Sequence, residues 1–234
     1  MTPTSVRENL LRVKERIAQA AARAGRRAEE LTLIGVSKTH PASAIREAYE
    51  AGVRHFGENR VQEWEGKRAG TEGLAATWHL VGHLQSNKTA RAATLFHSVD
   101  SVDDFAIARR LDRARAEAGI TGKLRVLIEV RVAPEETKSG VEISELSALA
   151  ERVADLSRLE FAGLMCLPPF LERAEQVRPH FRRLRELRDE LKEKLDIALH
   201  VLSMGMSNDF EVAIEEGATE VRVGTALFGA RDDK

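Results

Sequence analysis

The sequence predicts an α/β fold, namely a single (β/α)8 barrel of the TIM type with one extra helix at its N-terminal end. Apolar runs typical of strands alternate with helical patterns along the chain, and eight such runs can be counted. Several of them, such as LTLIGV and LEFAGLM, are continuously apolar, as in strands buried on both faces of a parallel sheet. The length of 234 residues suits one α/β barrel. A doubly wound open sheet is the alternative with the same alternation.

The elements follow one another in a regular order. The chain opens with a helix, because Leu10, Val13 and Ile17 recur at a spacing of three to four residues. Strands are predicted at 31–37, 54–56, 77–81, 95–99, 124–132, 159–165, 200–203 and 220–223. Helices are predicted at 42–51, 60–68, 87–93, 102–118, 143–156, 171–195 and 208–215.

Capping residues support these helix boundaries. Ser101 precedes the helix at 102–118 and is predicted to cap it, with acidic residues in the first turn. Ser144 and the pair at 208–209 stand in similar positions. Glycines follow three predicted helix ends, as C-terminal caps do: Gly52, Gly119 and Gly217. No linker rich in glycine, serine or proline interrupts the pattern, so residues 1–234 are predicted to form one domain.

Composition narrows the functional classes. The 36 basic and 37 acidic residues nearly cancel, which leaves no basic surface for nucleic acid. Cys166 is the single cysteine, so no intrachain disulfide forms and a reducing compartment fits best. The N-terminal segment lacks the apolar core of a secretory signal, and no apolar stretch approaches the roughly 18 residues of a membrane helix. We expect a cytoplasmic protein that binds no membrane and, lacking an evident exposed apolar stripe, is a monomer.

Two loops of small residues follow the last two predicted strands. The first is SMGMS, with Ser203 and Ser207, and the second contains Gly224 and Thr225. Hydroxyl groups and unhindered backbone N–H groups are suitable ligands for a phosphate. In TIM barrels the loops after strands seven and eight frequently bind phosphate. The sequence therefore predicts a phosphate site at this end of the barrel.

A lysine and an arginine stand near the same strand ends. Lys38 ends the first strand, where partial desolvation would lower its pKa and produce a nucleophilic amine. An ordinary surface lysine is the alternative, but a nearby phosphate site favours a phosphorylated aldehyde held as a Schiff base. Arg222 alternates with valines in EVRVGT. It either faces the barrel mouth, where it would contact the pyridine nitrogen of pyridoxal phosphate, or pairs with a helix carboxylate outside.

Other polar residues give weaker indications. Asn59 follows the second strand and is either a ligand to a cofactor ring or a helix N-cap. Lys138 is a second amine near a strand end, and a solvated loop lysine is its simpler interpretation. His79 and His83 are separated by a strand-to-loop turn and lack a suitably spaced partner, so no metal site is expected. No nucleophile elbow, Walker loop or dinucleotide motif occurs.

Seven sequence blocks occur together in one order. They are GVSKTHP, HFGENRVQE, WHLVGHLQSNK, KSG, GLMCLPP, LSMGMSNDFEVAI and VRVGTALFG. In these blocks, which span nearly the whole chain, the sequence resembles the pyridoxal phosphate homeostasis protein family, the YggS/PROSC group. The fold of that family is a single (β/α)8 barrel similar to the N-terminal domain of bacterial alanine racemase.

The resemblance implies a function and a set of ligands. Members of the family are thought to buffer or deliver pyridoxal phosphate inside the cell, with PLP-dependent apo-enzymes as partners, and no catalytic reaction is established for them. Lys38 would form the internal aldimine with the cofactor. Arg222 would face its pyridine nitrogen, and Asn59 would lie near its ring. The residues implied to hold the phosphate are Ser203, Ser207, Gly224 and Thr225.

Some residues depart from the family pattern, and two enzymatic alternatives stay open. Glu129 and Arg131 stand where many members have amide side chains, and His83 stands where proline is common. A PLP-dependent amino-acid racemase needs an acid/base group on each face of the cofactor. The single tyrosine, Tyr49, lies on the first barrel helix and is predicted to pack there. A Schiff-base aldolase is the second alternative, although its lysine usually lies on a later strand than that of Lys38.

Overall fold

Eight parallel strands close into a barrel in chain order in the computed structural model, which describes residues 5–133 and 139–229. β1 pairs with both β2 and β8, and this pairing closes the sheet. The predicted barrel is therefore confirmed, and the open doubly wound sheet was the wrong alternative. The strands are β1 Thr32–Val36, β2 His55–Glu58, β3 Thr77–Leu80, β4 Ser98–Val102, β5 Leu124–Glu129, β6 Leu159–Met165, β7 Val201–Ser203 and β8 Glu220–Val223.

Helices surround the barrel. They are α1 Val6–Arg23, α2 Ala42–Ala51, α3 Val61–Lys67, α4 Thr89–Leu95, α5 Phe105–Glu117, α6 Ile143–Ala154, α7 Arg178–Leu195, α8 Phe210–Glu215 and α9 Thr225–Phe228. α1 is the predicted extra helix, and it packs against α2, α8 and α9. Ser5 begins it with a capping box, in which its hydroxyl accepts from the Glu8 N–H. Within the described ranges, no helix is long and apolar enough to cross a membrane.

The fourth strand lies later in the chain than predicted. α4 continues to Leu95, so β4 begins at Ser98 and extends through Asp100 to Val102. The predicted strand, 95–99, ends before Asp100, and a charged residue is rarely accommodated in a buried strand without a partner. In the barrel this carboxylate is fully buried and accepts from the His79 ring at 3.0 Å, a partner 21 residues away.

The start of the next helix was also predicted wrongly. Ser101 belongs to β4, and its hydroxyl donates to the Gly82 carbonyl at 2.7 Å instead of capping a helix. Asp104 is the N-cap of α5, and its carboxylate accepts from the Ile107 N–H at 3.1 Å. Serine and aspartate are both suitable capping residues. Because Ser101 contacts the loop after β3, Asp104 is the residue that caps the helix.

Other helix ends differ from the prediction by smaller amounts. α7 begins at Arg178, not at 171, because a separate 3₁₀ turn at Ala174–Val177 precedes it. The cap position of α6 is Glu142, so Ser144 lies within that helix. Asp209 does precede α8, but its carboxylate accepts from the Met206 N–H at 2.6 Å and so shapes the preceding loop. The predicted C-terminal glycines all adopt positive φ: Gly52, Gly119 and Gly217.

Charged side chains occupy the barrel interior. The His79 ring lies between Asp100 and His55, at 3.0 and 3.1 Å. Arg125 on β5 pairs with Glu220 on β8 at 2.6 Å across the interior. The ligand atoms of His79, Asp100 and Glu220 lie within 4.8 Å of one another, as in a metal site. The Arg125 guanidinium already neutralises Glu220 and would repel a cation, so we interpret these contacts as structural pairs.

The half-buried His55 ring leads to a prediction on stability against pH. Burial and the adjacent His79 lower the pKa of His55 to about 4. Between pH 6.5 and 4 the unfolded chain therefore binds a proton that the folded chain does not, and stability falls as the pH falls through this window. When the pH is lowered from 6.5 to 4, we expect the Tm of His55→Asn to fall less than the Tm of the wild type. The difference should be about 2–4 °C, for roughly 1 kcal/mol after solvent screening.

Thermal unfolding followed by circular dichroism at a series of pH values measures this slope. The exposed His200 provides the matched control as His200→Asn, which should retain the wild-type slope. Equal slopes for His55→Asn and the wild type would remove His55 as a source of acid sensitivity.

Candidate cofactor site at the barrel mouth

The predicted site residues follow four strands that are neighbours in the barrel. β7, β8, β1 and β2 are consecutive, and their carboxyl ends lie at one edge. Ser203 ends β7, and Lys38 and Asn59 follow β1 and β2. Gly224 and Thr225 follow β8 directly. The fold thus brings the phosphate-site candidates and the candidate amine to the same opening. Lys138 lies outside the described residues.

Arg222 points into the barrel. Its guanidinium donates to the Ser203 hydroxyl at 2.8 Å and to the Cys166 carbonyl at 2.7 Å, and the residue is 3% exposed. The outer-layer alternative is therefore wrong. Among residues 5–133 and 139–229 this guanidinium makes no direct salt bridge, although its charge lowers the pKa of the nearby Glu129 and Asp209 carboxyls against the effect of burial. Because a buried charge is expensive without an opposite charge or strong acceptors, Arg222 is suited to an additional acceptor at the mouth.

The loop after β7 packs closely against α8. Gly205 has a φ of +92°, and a Cβ there would lie 2.6 Å from the Cβ of Ala213. Its carbonyl accepts from the Arg222 N–H at 3.0 Å, which ties the loop to β8. The loop conformation therefore depends on glycine at this position.

The loop after β8 continues the same edge. The Ser207 hydroxyl accepts from the Ala226 N–H at 3.2 Å, which joins the two small-residue loops. Thr225, the first residue of α9, is exposed. His40 stacks on Phe228 with ring centroids 5.0 Å apart, which connects the β1 loop to α9. The two loops thus place hydroxyl-bearing and small residues together along this edge of the barrel.

Asn59 is not a helix cap. Arg60 holds the N-cap position of α3, and no side chain caps that helix. The backbone of Asn59 lies against Gly82, where a Cβ would stand 2.5 Å from the Asn59 carbonyl oxygen. The half-buried Asn59 side chain lines a cavity of about 680 Å³ with residues of the loop after β3, such as His83, and Lys38 and Arg222 do not line that cavity.

The three residues that depart from the family pattern, Glu129, Arg131 and His83, differ in burial and in their partners. Glu129 is 2% exposed, and one carboxylate oxygen accepts from the Ser139 hydroxyl at 2.8 Å. Its other oxygen has no hydrogen-bond partner among the described residues, and burial raises the pKa of the carboxyl. Arg131 pairs with Glu142. His83 pairs with Asp103 at 3.2 Å, although its ring is largely exposed. Only Glu129 is therefore a buried change at the mouth.

Cys166 and Tyr49 are of residue types that often take part in catalysis, but their surroundings indicate structural roles. Cys166 is fully buried, and burial raises the pKa of its thiol to about 12, so it is not a thiolate nucleophile. Tyr49 on α2 packs beside the core, with the Arg54 guanidinium 4.2 Å from the centre of its ring. The predicted packing role of Tyr49 is confirmed. Its position supplies no second base at the mouth.

No pattern in the sequence indicates two contacts that organise the site. The hydroxyl of Ser203 is fully buried against Arg222, and the backbone of Cys166 supplies the second acceptor. Ser203 was predicted as a phosphate ligand, and that role stays a prediction. Its partner is 19 residues distant, so only the pairing of β7 with β8 brings the two groups together.

Known proteins with similar sequences cover this chain almost completely. Residues 9–232 match the family model described as alanine racemase, N-terminal domain. The pyridoxal phosphate homeostasis protein of Aquifex aeolicus is 48% identical over 96% of this chain and 97% of its own length. The protein of that name from Pseudomonas aeruginosa is 49% identical over 98% of this chain and 97% of its own.

Solved structures agree with these sequence matches. PipY from Synechococcus elongatus, solved with PLP bound, is 42% identical and has a TM-score of 0.81, covering 91% of this chain and 100% of its own. An alanine racemase from Clostridium difficile shares the fold with a TM-score of 0.76 at 13% identity, and this chain spans 60% of its length. At 42–49% identity over nearly full length, this chain belongs to the pyridoxal phosphate homeostasis protein family.

Proposed function

We propose that this chain binds pyridoxal phosphate at the barrel mouth and acts in intracellular vitamin B6 homeostasis. The observation that carries the proposal is the buried Arg222, aimed into the opening onto which Lys38 and the two small-residue loops converge. The names of the full-length relatives and the PLP-bound structure of PipY support it. The described residues fit this ligand, because they offer an amine, hydroxyls and a buried donor at one edge.

Each group has a distinct task in the proposed site. The phosphate is bound by four residues: Ser203, Ser207, Gly224 and Thr225. The Ser203 hydroxyl also links that edge to Arg222. Arg222 donates to the pyridine nitrogen, and because arginine stays protonated it disfavours a proton on that nitrogen. Asn59 flanks the ring. When bound, pyridoxal phosphate supplies an aldehyde that condenses with the Lys38 amine and releases water.

The same site argues for a carrier. Racemisation needs a proton donor and acceptor on both faces of the bound substrate, and Tyr49 lies on an outer helix. A guanidinium facing the ring nitrogen also weakens the electron withdrawal on which such chemistry depends. We infer a cytoplasmic, monomeric protein of one domain, residues 1–234, that holds the cofactor for PLP-dependent apo-enzymes.

A visible absorbance spectrum tests the proposal. Adding pyridoxal phosphate to the purified protein should produce a band near the wavelength of lysine adducts of this cofactor, and borohydride should fix it covalently. A protein that stays colourless would overturn the proposal. Trapping of a sugar phosphate on Lys38 in its place would favour the aldolase, and Lys38-dependent racemisation of an amino acid would favour the racemase.

The exposed Thr225 hydroxyl offers a graded prediction. Thr225→Val removes one hydroxyl from the proposed phosphate site while preserving the shape of the side chain. We expect cofactor binding to weaken by about 1.5–3 kcal/mol, the usual contribution of a hydrogen bond to a charged group. Equilibrium titration by absorbance measures the change. Thr225→Ser is the control that keeps the hydroxyl, and unchanged affinity in Thr225→Val would exclude this contact.

A further inference from the structure

The backbone beside Lys38 adopts an unusual conformation. Thr39, the next residue, has a φ of +67°. A β-branched residue seldom adopts this left-handed region, because its side chain crowds the backbone there. Such a conformation persists only where surrounding contacts enforce it.

Three charged side chains provide these contacts. The Lys67 ammonium donates to the Ser37 carbonyl at 2.8 Å, to Glu58 at 2.9 Å and to Glu63 at 2.7 Å. The Glu63 oxygen that accepts from Lys67 also accepts from the Thr39 N–H. The backbone is thus held on both sides of Lys38, at the preceding carbonyl and at the following N–H. We call these three residues, Glu58, Glu63 and Lys67, the clamp.

The clamp is anchored in the protein interior. Glu58, the last residue of β2, is fully buried, and the oxygen that contacts Lys67 also accepts from the Ser37 hydroxyl at 2.6 Å. The side chain of Lys67 is 11% exposed. All three ammonium protons of Lys67 have acceptors, so this amine is not a second nucleophile.

Stability alone is a poor explanation for this arrangement. Desolvation of a buried ion pair offsets much of its attraction, and apolar side chains of similar volume often stabilise as well. Here one Glu58 oxygen is also left without a hydrogen-bond partner in the part of the chain that the structure describes. The burial that leaves it unpaired raises the pKa of the carboxyl. The contacts are directed at one backbone segment, the one that carries the candidate amine.

We propose that the clamp is a positioning device, which holds Thr39 in its left-handed conformation and so presents the Lys38 amine to the cofactor. This inference rests on the proposed function. Glu58, Glu63 and Lys67 act through the backbone and are positioning residues.

The first test needs no cofactor. The Thr39 N–H should exchange slowly with solvent in the cofactor-free protein, because a carboxylate accepts from it, and Glu63→Ala should accelerate this exchange. Amide exchange followed by NMR measures the effect. Fast exchange in the wild type, or an unchanged rate in Glu63→Ala, would overturn the proposed clamp.

The second test uses rescue by glycine. Glu63→Ala should weaken pyridoxal phosphate binding about tenfold, since it releases a backbone conformation that costs an L-residue roughly that factor. Thr39→Gly should bind normally, because glycine adopts positive φ without strain. The double variant, Glu63→Ala with Thr39→Gly, should then recover most of the lost affinity. A double variant as weak as Glu63→Ala would contradict positioning through Thr39.

Controls separate this inference from the proposed function. Glu151→Ala removes a glutamate that pairs with a lysine, Lys194, at 2.6 Å on the outer surface, and should leave affinity unchanged. Lys67→Met combined with Glu58→Gln avoids a buried unpaired carboxylate and should also weaken binding. If the wild type forms no adduct on Lys38, the proposed function fails. If it forms one and the clamp variants bind normally, only the clamp proposal fails.

Discussion

Lys38→Ala should abolish the visible band that forms when the wild-type protein is mixed with pyridoxal phosphate. The amine is the group proposed to condense with the aldehyde, and alanine has no nucleophile. Covalent attachment should be lost completely, while the phosphate edge at Ser207 and Thr225 retains weak binding. Absorbance titration, followed by borohydride reduction and mass spectrometry, measures both quantities.

The same variant should stay folded. Lys38 is half-buried at a strand end, so its replacement should change Tm by only a few degrees. Lys123→Ala removes an exposed lysine from the loop before β5 and should retain the full band. A band that persists in Lys38→Ala would assign the adduct to another amine, and Lys138 would then be the first to replace.

Gly163→Ala should have the largest effect on stability. Gly163 lies on β6, and a Cβ there would stand 1.9 Å from the Val201 carbonyl oxygen of the neighbouring strand. The clash is with backbone that is held in the barrel register, so neither strand can move without breaking ladder hydrogen bonds. We expect a loss of about 3–5 kcal/mol, a large part of the stability of a typical domain. Urea unfolding followed by circular dichroism measures it.

Gly66→Ala is the matched control. Gly66 lies in α3, and a Cβ there would meet no described atom within 4 Å apart from its chain neighbours and the backbone of its own helix. Alanine in a helix should be neutral or stabilising by up to about 1 kcal/mol. A loss smaller than about 1 kcal/mol in Gly163→Ala would show that β6 and β7 separate more easily than this packing implies.

The closed barrel topology is what allows Lys38 and the loop after β8 to belong to one site. In a closed barrel the first strand is a neighbour of the last, so residues near 38 and 224 meet although the chain separates them. An open sheet with the same elements would place its first strand differently. The confirmation of the closed barrel therefore supports the joint use of Lys38 and the β8 loop.

Local patterns in the chain already predicted much of this. The strands at 159–165 and 220–223 and the helix at 42–51 have the predicted bounds. Continuous apolar runs and the glycines after helices are set by near neighbours, which is why they can be recognised in a single sequence. The same patterns also predicted at which edge of the barrel the site lies, because the carboxyl ends of parallel strands all lie on one side of a barrel.

The remaining features depend on residues that are distant in the chain. Asp100 lies in a strand because His79 faces it, and Ser101 contacts the Gly82 carbonyl in place of capping a helix. Arg222 faces inward with Ser203 and Cys166 as acceptors, and Lys67 reaches back to the carbonyl of Ser37. Buried polar groups take whichever partners the folded chain provides. Their pairing is therefore a property of the closed barrel, and no local pattern in the sequence predicts it.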